Sequence, residues 1–144
     1  MTFHETIQLP AEKNQLAILR RFIKEHAGRT PASELEVDDL ILAVDEAATN
    51  IIVHGYKGGK GEFEVVLDYQ PGQIVVVLRD QAPSFDPTTV PARDLQQPLL
   101  QRPIGGLGVQ LIRLCVDEVT YSARPQGGNE LRMVKYLKDQ GGLE

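Results

Sequence analysis

The run Ile74-Val75-Val76-Val77-Leu78 constrains the fold more than any other segment. Apolar along its whole length, it reads as a strand with both faces covered. Pro71-Gly72 joins it to residues 62–69, where Phe63, Val65, Val66 and Leu67 mark a second strand. Two strands across so short a turn make a hairpin. The pattern recurs late in the chain, where strands over about 117–124 and 130–137 flank Pro125-Gln126-Gly127-Gly128.

Such a sheet needs a second layer to cover it, and the sequence offers helices. Residues 11–27 place Leu16, Leu19, Ile23 and Ala27 on one stripe, with Gly28 as the stop. Ser33 and Glu36 form a capping box for a second helix running to about His54. Its core stripe is Val37, Leu40, Ile41, Val44, Ala48 and Ile51. A short strand over residues 3–9 precedes both. Residues 81–104 carry five prolines and little periodicity, as a long functional connection would. A third helix is expected over about 107–114. The order predicts an α+β fold: a mixed, mostly antiparallel sheet with helices on one face. The 144 residues are expected to form one domain.

Charge narrows the function. The net charge is -5 and no Lys/Arg-rich run occurs, so neither nucleic acid nor an anionic membrane is an expected partner. The single cysteine, Cys115, cannot form an internal disulfide, which suits a reducing compartment. Residues 1–10 lack the basic and apolar regions of a secretory signal, and no apolar run is long enough to span a bilayer. A cytoplasmic protein is expected.

Three features can carry chemistry. Glu46 and Asn50 are four residues apart on the second helix and project from one face, shared with Leu42 and Val53. At 100° per residue that face lies roughly opposite the core stripe, and its apolar residues suggest a lid or ligand over it. A carboxylate there can take a proton from water or a hydroxyl. An amide oxygen is a hard, neutral ligand for Mg²⁺. Spacing alone favours the plainer reading, a solvated Glu and Asn on the helix surface. Asp80 ends a buried strand, where it can accept the exocyclic amine of adenine or simply form a turn. Gly105-Gly106-Leu107-Gly108 opens a helix, whose free N–H groups suit phosphate, or else makes a flexible loop.

Other patterns are set aside. Gly58-Gly59-Lys60-Gly61 follows a helix and precedes a strand, the wrong polarity for a phosphate loop, and reads as a turn. His4, His26 and His54 show no metal-ligand spacing.

The three features become specific by their order: Glu46-Ala47-Ala48-Thr49-Asn50, then Asp80-Gln81-Ala82-Pro83-Ser84-Phe85-Asp86-Pro87, then Arg102-Pro103-Ile104-Gly105-Gly106-Leu107-Gly108. This order resembles the ATPase domain shared by histidine kinases, the Hsp90 chaperones, gyrase and MutL. Within that superfamily it most resembles the bacterial anti-sigma-factor serine kinases. The likeness extends over Asn50-Ile51-Ile52-Val53-His54-Gly55-Tyr56 and Leu114-Cys115-Val116-Asp117-Glu118-Val119.

The resemblance implies a two-layer α/β sandwich and assigns roles. Asn50 would hold Mg²⁺ against the phosphates, and Glu46 would be the catalytic base. Asp80 would bind the adenine amine. Gly105, Gly106 and Gly108 would embrace the phosphates, with His54, Ala82, Phe85 and Leu107 completing the ATP site. The partners implied are an anti-anti-sigma protein, phosphorylated on a serine, and a sigma factor or similar regulator, bound by a homodimer. Three positions depart from the pattern. Ala82 stands where the family usually has Gly, Val53 where histidine kinases often have Lys, and Arg132 about where a late-strand Thr often lies near adenine. Two rival functions follow. One is a catalytically weak switch that holds ATP or ADP and titrates a partner. The other is an equivalent device in a different signalling pathway.

Overall fold

A computed structural model describes residues 1–83 and 104–138, with 104–109 described by their backbone alone. The elements are β1 (Phe3–Pro10), α1 (Leu16–Ala27), α2 (Glu34–Asn50), β2 (Glu62–Gln70), β3 (Gln73–Asp80), α3 (Ile104–Cys115), β4 (Glu118–Ala123) and β5 (Asn129–Tyr136). The strands form one five-stranded sheet in the order β1-β2-β3-β5-β4. Every neighbouring pair is antiparallel. This is the α+β sandwich expected from the sequence, except that among the described residues the sheet is wholly antiparallel rather than mixed.

The two hairpins form as their turn residues require. Gln70 pairs with Gln73 across Pro71-Gly72, and Gly72 takes a φ of 92° that a side chain would disfavour. Strand register puts Phe63, Val65, Leu67 and Tyr69 of β2 beside Asp80, Leu78, Val76 and Ile74 of β3. The apolar residues of this set, with Leu131 and Met133 of β5, join Leu19, Ile23, Leu40, Val44 and Ile112 from the helices in one core. Burying such a side chain fully stabilises the fold by about 1.5–3 kcal/mol. The other sheet face carries Val75, buried, and Val77, only partly so. The helices pack against the first face alone, so the expected two-sided cover of β3 holds only in part.

The predicted start of α2 is present atom by atom. Ser33 Oγ accepts a hydrogen bond from the Glu36 amide, and Glu36 Oε1 accepts one from the Ser33 amide at 2.9 Å. Glu36 Oε2 also accepts from the Lys138 amide at 2.9 Å, tying the cap to the residues after β5. Burial raises the Glu36 pKa, but the Lys138 and Ser33 donors outweigh it and leave the carboxyl below its ordinary value.

Two boundaries differ from the periodicity, and the second helix reaches its expected end near His54 with a change of hydrogen-bond period. Residues 13–15 form a single 3-10 turn before α1, so the helix starts at Leu16 rather than 11. The α2 ladder ends at Asn50 and continues through a π-helical turn, Ile51–Gly55, in which the Tyr56 amide reaches back to Ile51 O at 2.9 Å. The third helix begins at Ile104, so the glycines form its opening turns rather than a loop before it. Glycine's poor helix propensity hides such a start from the sequence. Residues 57–61 are the turn expected there, with Lys57 and Gly58 at φ 54° and 79°.

Candidate nucleotide site

Asn50 sits at the end of α2, where the helical ladder changes period. It is 2% exposed, not on a face opposite the core as the 100° rule placed it. Ala43 and Ala47 are buried as well, because α3 packs along α2 and covers a second flank of the helix. Leu42, on the far side of that flank, is 40% exposed. Among the described residues, neither Oδ1 nor Nδ2 of Asn50 has a hydrogen-bond partner. An unsatisfied buried amide costs about 1–3 kcal/mol, and natural structures hold few of them. This carboxamide therefore suits a ligand that supplies the missing partners: an acceptor for the N–H₂, and a cation or donor for the oxygen.

Glu46 lies one turn before Asn50 and is partly buried. Its pKa is raised, first by burial and then by the neighbouring charge of Asp45. Asp45 is itself bonded to Arg20 at 2.6 Å.

Asp80 closes β3 and is buried. Its Oδ1 accepts from the Ala82 amide and from Asn129 Nδ2, each at 2.9 Å. Burial raises its pKa against those two bonds and the Arg124 charge, which act to lower it. Asp80 and Asn50 line one cavity with Ala47, Ile51, Gly55, Tyr121, Asn129 and Leu131. Helix α2 and the end of the sheet are thus joined at the two residues singled out from sequence. Ala82 is buried beside them, its methyl facing Gly55. His54 lies in the π-helical turn, one turn beyond Asn50. Gly105, Gly106, Leu107 and Gly108 lie at the N-terminal end of α3. Phe85 and its neighbours Ser84, Asp86 and Pro87 lie outside the described residues, as do Arg102 and Pro103.

The late-strand position needs correcting. Arg132 pairs with Val77 and Thr120 and is exposed on the other sheet face, away from Asp80. The β5 residue that meets Asp80 is Asn129, its direct partner in the register. Asn129 shares strand parity with Leu131 and Met133, which is visible in the sequence. The pairing of β5 with β3 is not visible there, and it is what brings Asn129 to the site.

The fold and the cavity shared by Asn50 and Asp80 together make a candidate nucleotide site. The family model described as histidine kinase-like ATPase domain matches residues 9–135, and the chain belongs to that family. More particularly, it is similar to the serine-protein kinase RsbW of Bacillus cereus strain AH187, at 28% identity over 136 residues, 92% of this chain and 84% of the relative. The serine-protein kinase RsbW of Bacillus anthracis is 27% identical over the same shares. Among solved structures, the RsbU and RsbW domains of Rv1364c from Mycobacterium tuberculosis match with a TM-score of 0.63 at 18% identity. That match covers 94% of this chain and 32% of the other, and it supports the fold. Among the described residues, no helix is long and apolar enough to cross a membrane.

Proposed function

We propose that this protein is an ATP- and Mg²⁺-dependent serine kinase that phosphorylates an anti-anti-sigma partner and sequesters a sigma factor or similar regulator. In this reading it acts as a cytoplasmic homodimer. The observation that carries the reading is the buried carboxamide of Asn50, unpartnered among the described residues, one turn from a half-buried Glu46 and in one cavity with Asp80. The similarity to serine-protein kinases named RsbW supports the choice of acceptor.

Phosphoryl transfer asks mostly for positioning and charge neutralisation. Asp80 would accept a hydrogen bond from the amino group of adenine, with Ala82 forming the wall beside it. Asn50 would hold Mg²⁺ through its amide oxygen, and the ion would supply neutralisation of phosphate charge. The first N–H groups of α3, left without intrahelical partners, would donate to the phosphate oxygens. Glu46 takes the proton of the attacking seryl hydroxyl as its oxygen bonds to the γ-phosphorus and the bond to the ADP oxygen breaks. A raised pKa makes Glu46 a stronger base, provided it is ionised at the working pH.

The test uses labelled ATP, Mg²⁺ and an anti-anti-sigma protein from the same organism. Label should appear on serine and vanish with Glu46→Ala while ATP binding persists. Binding without transfer by the unaltered protein would overturn the kinase and leave the rival, an ATP/ADP switch acting by titration. Ala82, which fills space where the family usually keeps glycine, favours that rival.

A further inference from the structure

We propose that Asn129 is a positioning residue for the nucleotide base, and that Tyr121 acts through it. The proposal rests on the reading of Asp80 as the adenine acceptor and gives it a mechanism.

Asn129 Nδ2 lies 2.9 Å from Asp80 Oδ1, 3.2 Å from Ala82 O and 3.2 Å from Pro83 O. The two carbonyls can only accept, which fixes the orientation of the amide: its nitrogen faces Asp80 and its oxygen faces β4. There Tyr121 Oη donates to Asn129 Oδ1. All three side chains, Tyr121, Asn129 and Asp80, line the cavity that Asn50 lines. Asn129 is buried, so its rotamer is confined by packing as well as by these bonds.

The consequence falls on the carboxylate. Oδ1 of Asp80 is occupied twice, by Asn129 and by the Ala82 amide. Among the described residues, no hydrogen bond reaches Oδ2. Fixing one oxygen of a planar carboxylate fixes the direction of the other. Oδ2 is left as a single, aimed acceptor, suited to one amino donor such as the 6-amino group of adenine. The same Nδ2 holds the Ala82 and Pro83 carbonyls, so the wall beside the base is set by the same side chain. A ligand that brings no amino group forfeits that bond, and a hydrogen bond to a charged group is worth about a factor of ten or more.

The experiment measures equilibrium binding by calorimetry, with no turnover required. ATP is compared with purine riboside triphosphate, which is ATP without its 6-amino group. The unaltered protein should prefer ATP by about tenfold or more. In Asn129→Ala that preference should shrink to about threefold or less. In Tyr121→Phe, which removes only the hydroxyl, it should fall by at least about threefold. A merely structural role would weaken both ligands equally and leave the ratio unchanged, and that result would overturn the proposal. Should Asn129→Ala fail to fold, the Tyr121→Phe ratio decides alone, in the same sense. If the unaltered protein binds both ligands equally, the adenine role of Asp80 fails, and the proposal fails with it. The two failures are distinct because the first shows only in the variants.

Discussion

Gly55 and Ala82 are packed so closely that a Cβ built on Gly55 would lie 3.2 Å from the Ala82 methyl carbon. The two positions trade volume: the wall beside Asp80 carries a methyl, and the turn after Asn50 carries none. Gly55 does not adopt a positive φ, so alanine there is barred by space and not by backbone conformation. Gly55→Ala should destabilise the protein by about 1 kcal/mol through crowding, despite the gain in helical propensity. In an Ala82→Gly background the same substitution should be neutral or stabilising. A double-mutant cycle by urea denaturation should give a coupling of about 0.5–1.5 kcal/mol. A coupling within about 0.3 kcal/mol of zero would show that the contact carries nothing.

Asn50 offers a test that separates stability from binding. Its buried carboxamide lacks partners among the described residues, a burden on the ligand-free protein. Asn50→Leu keeps similar volume and removes the unsatisfied polar atoms. The ligand-free variant should be more stable by about 1–2 kcal/mol, read as a melting temperature higher by a few degrees. Binding of ATP with Mg²⁺ should be lost. A lower melting temperature together with retained binding would remove Asn50 from the site.

The Glu46 carboxyl should set the acid limb of the pH–rate profile. Burial and the charge of Asp45 hold its pKa above the ordinary glutamate value. A base works only when ionised, so activity should rise with pH through that elevated pKa and be lost below it. Asp45→Asn removes one of the two causes and should shift the limb to lower pH. Glu46→Gln should reduce transfer by about 10²–10⁴-fold with ATP affinity retained. An acid limb unmoved by Asp45→Asn would assign it to another group.

The sheet, its hairpins and the cap of α2 were legible because each rests on local chemistry: Pro71-Gly72, the Gly127-Gly128 pair, and the Ser33–Glu36 reciprocal bonds. Glu46, Asn50 and Asp80 were legible as an ordered set. The burial of Asn50 was not, because a helical wheel with one core stripe has no term for α3 packing on a second flank. The start of α3 was hidden by glycines that carry no periodic signal. Asn129 was missed, and Arg132 noted in its place, for a common reason. Which side chain reaches Asp80 depends on the register of β5 against β3, strands separated by 48 positions between Asp80 and its opposite residue Asn129, a long-range pairing that no local pattern encodes.

The two glycines before β5 should behave differently although both have positive φ, 103° at Gly127 and 93° at Gly128. A Cβ on Gly127 would meet nothing within 4 Å, so Gly127→Ala costs only the conformational penalty, about 1–2 kcal/mol. A Cβ on Gly128 would lie 2.0 Å from Asp80 O and 2.8 Å from Gln81 Cα. These are backbone atoms, which cannot step aside as a side chain can. Gly128→Ala must therefore displace the end of β3, at a total cost of about 3 kcal/mol or more. Because the displaced residue is Asp80, nucleotide affinity should fall at Gly128→Ala and stay near its original value at Gly127→Ala. Urea denaturation and ATP titration of the two variants check both halves. Equal losses at the two positions would mean that backbone conformation alone, and not the close approach to Asp80, demands glycine at position 128.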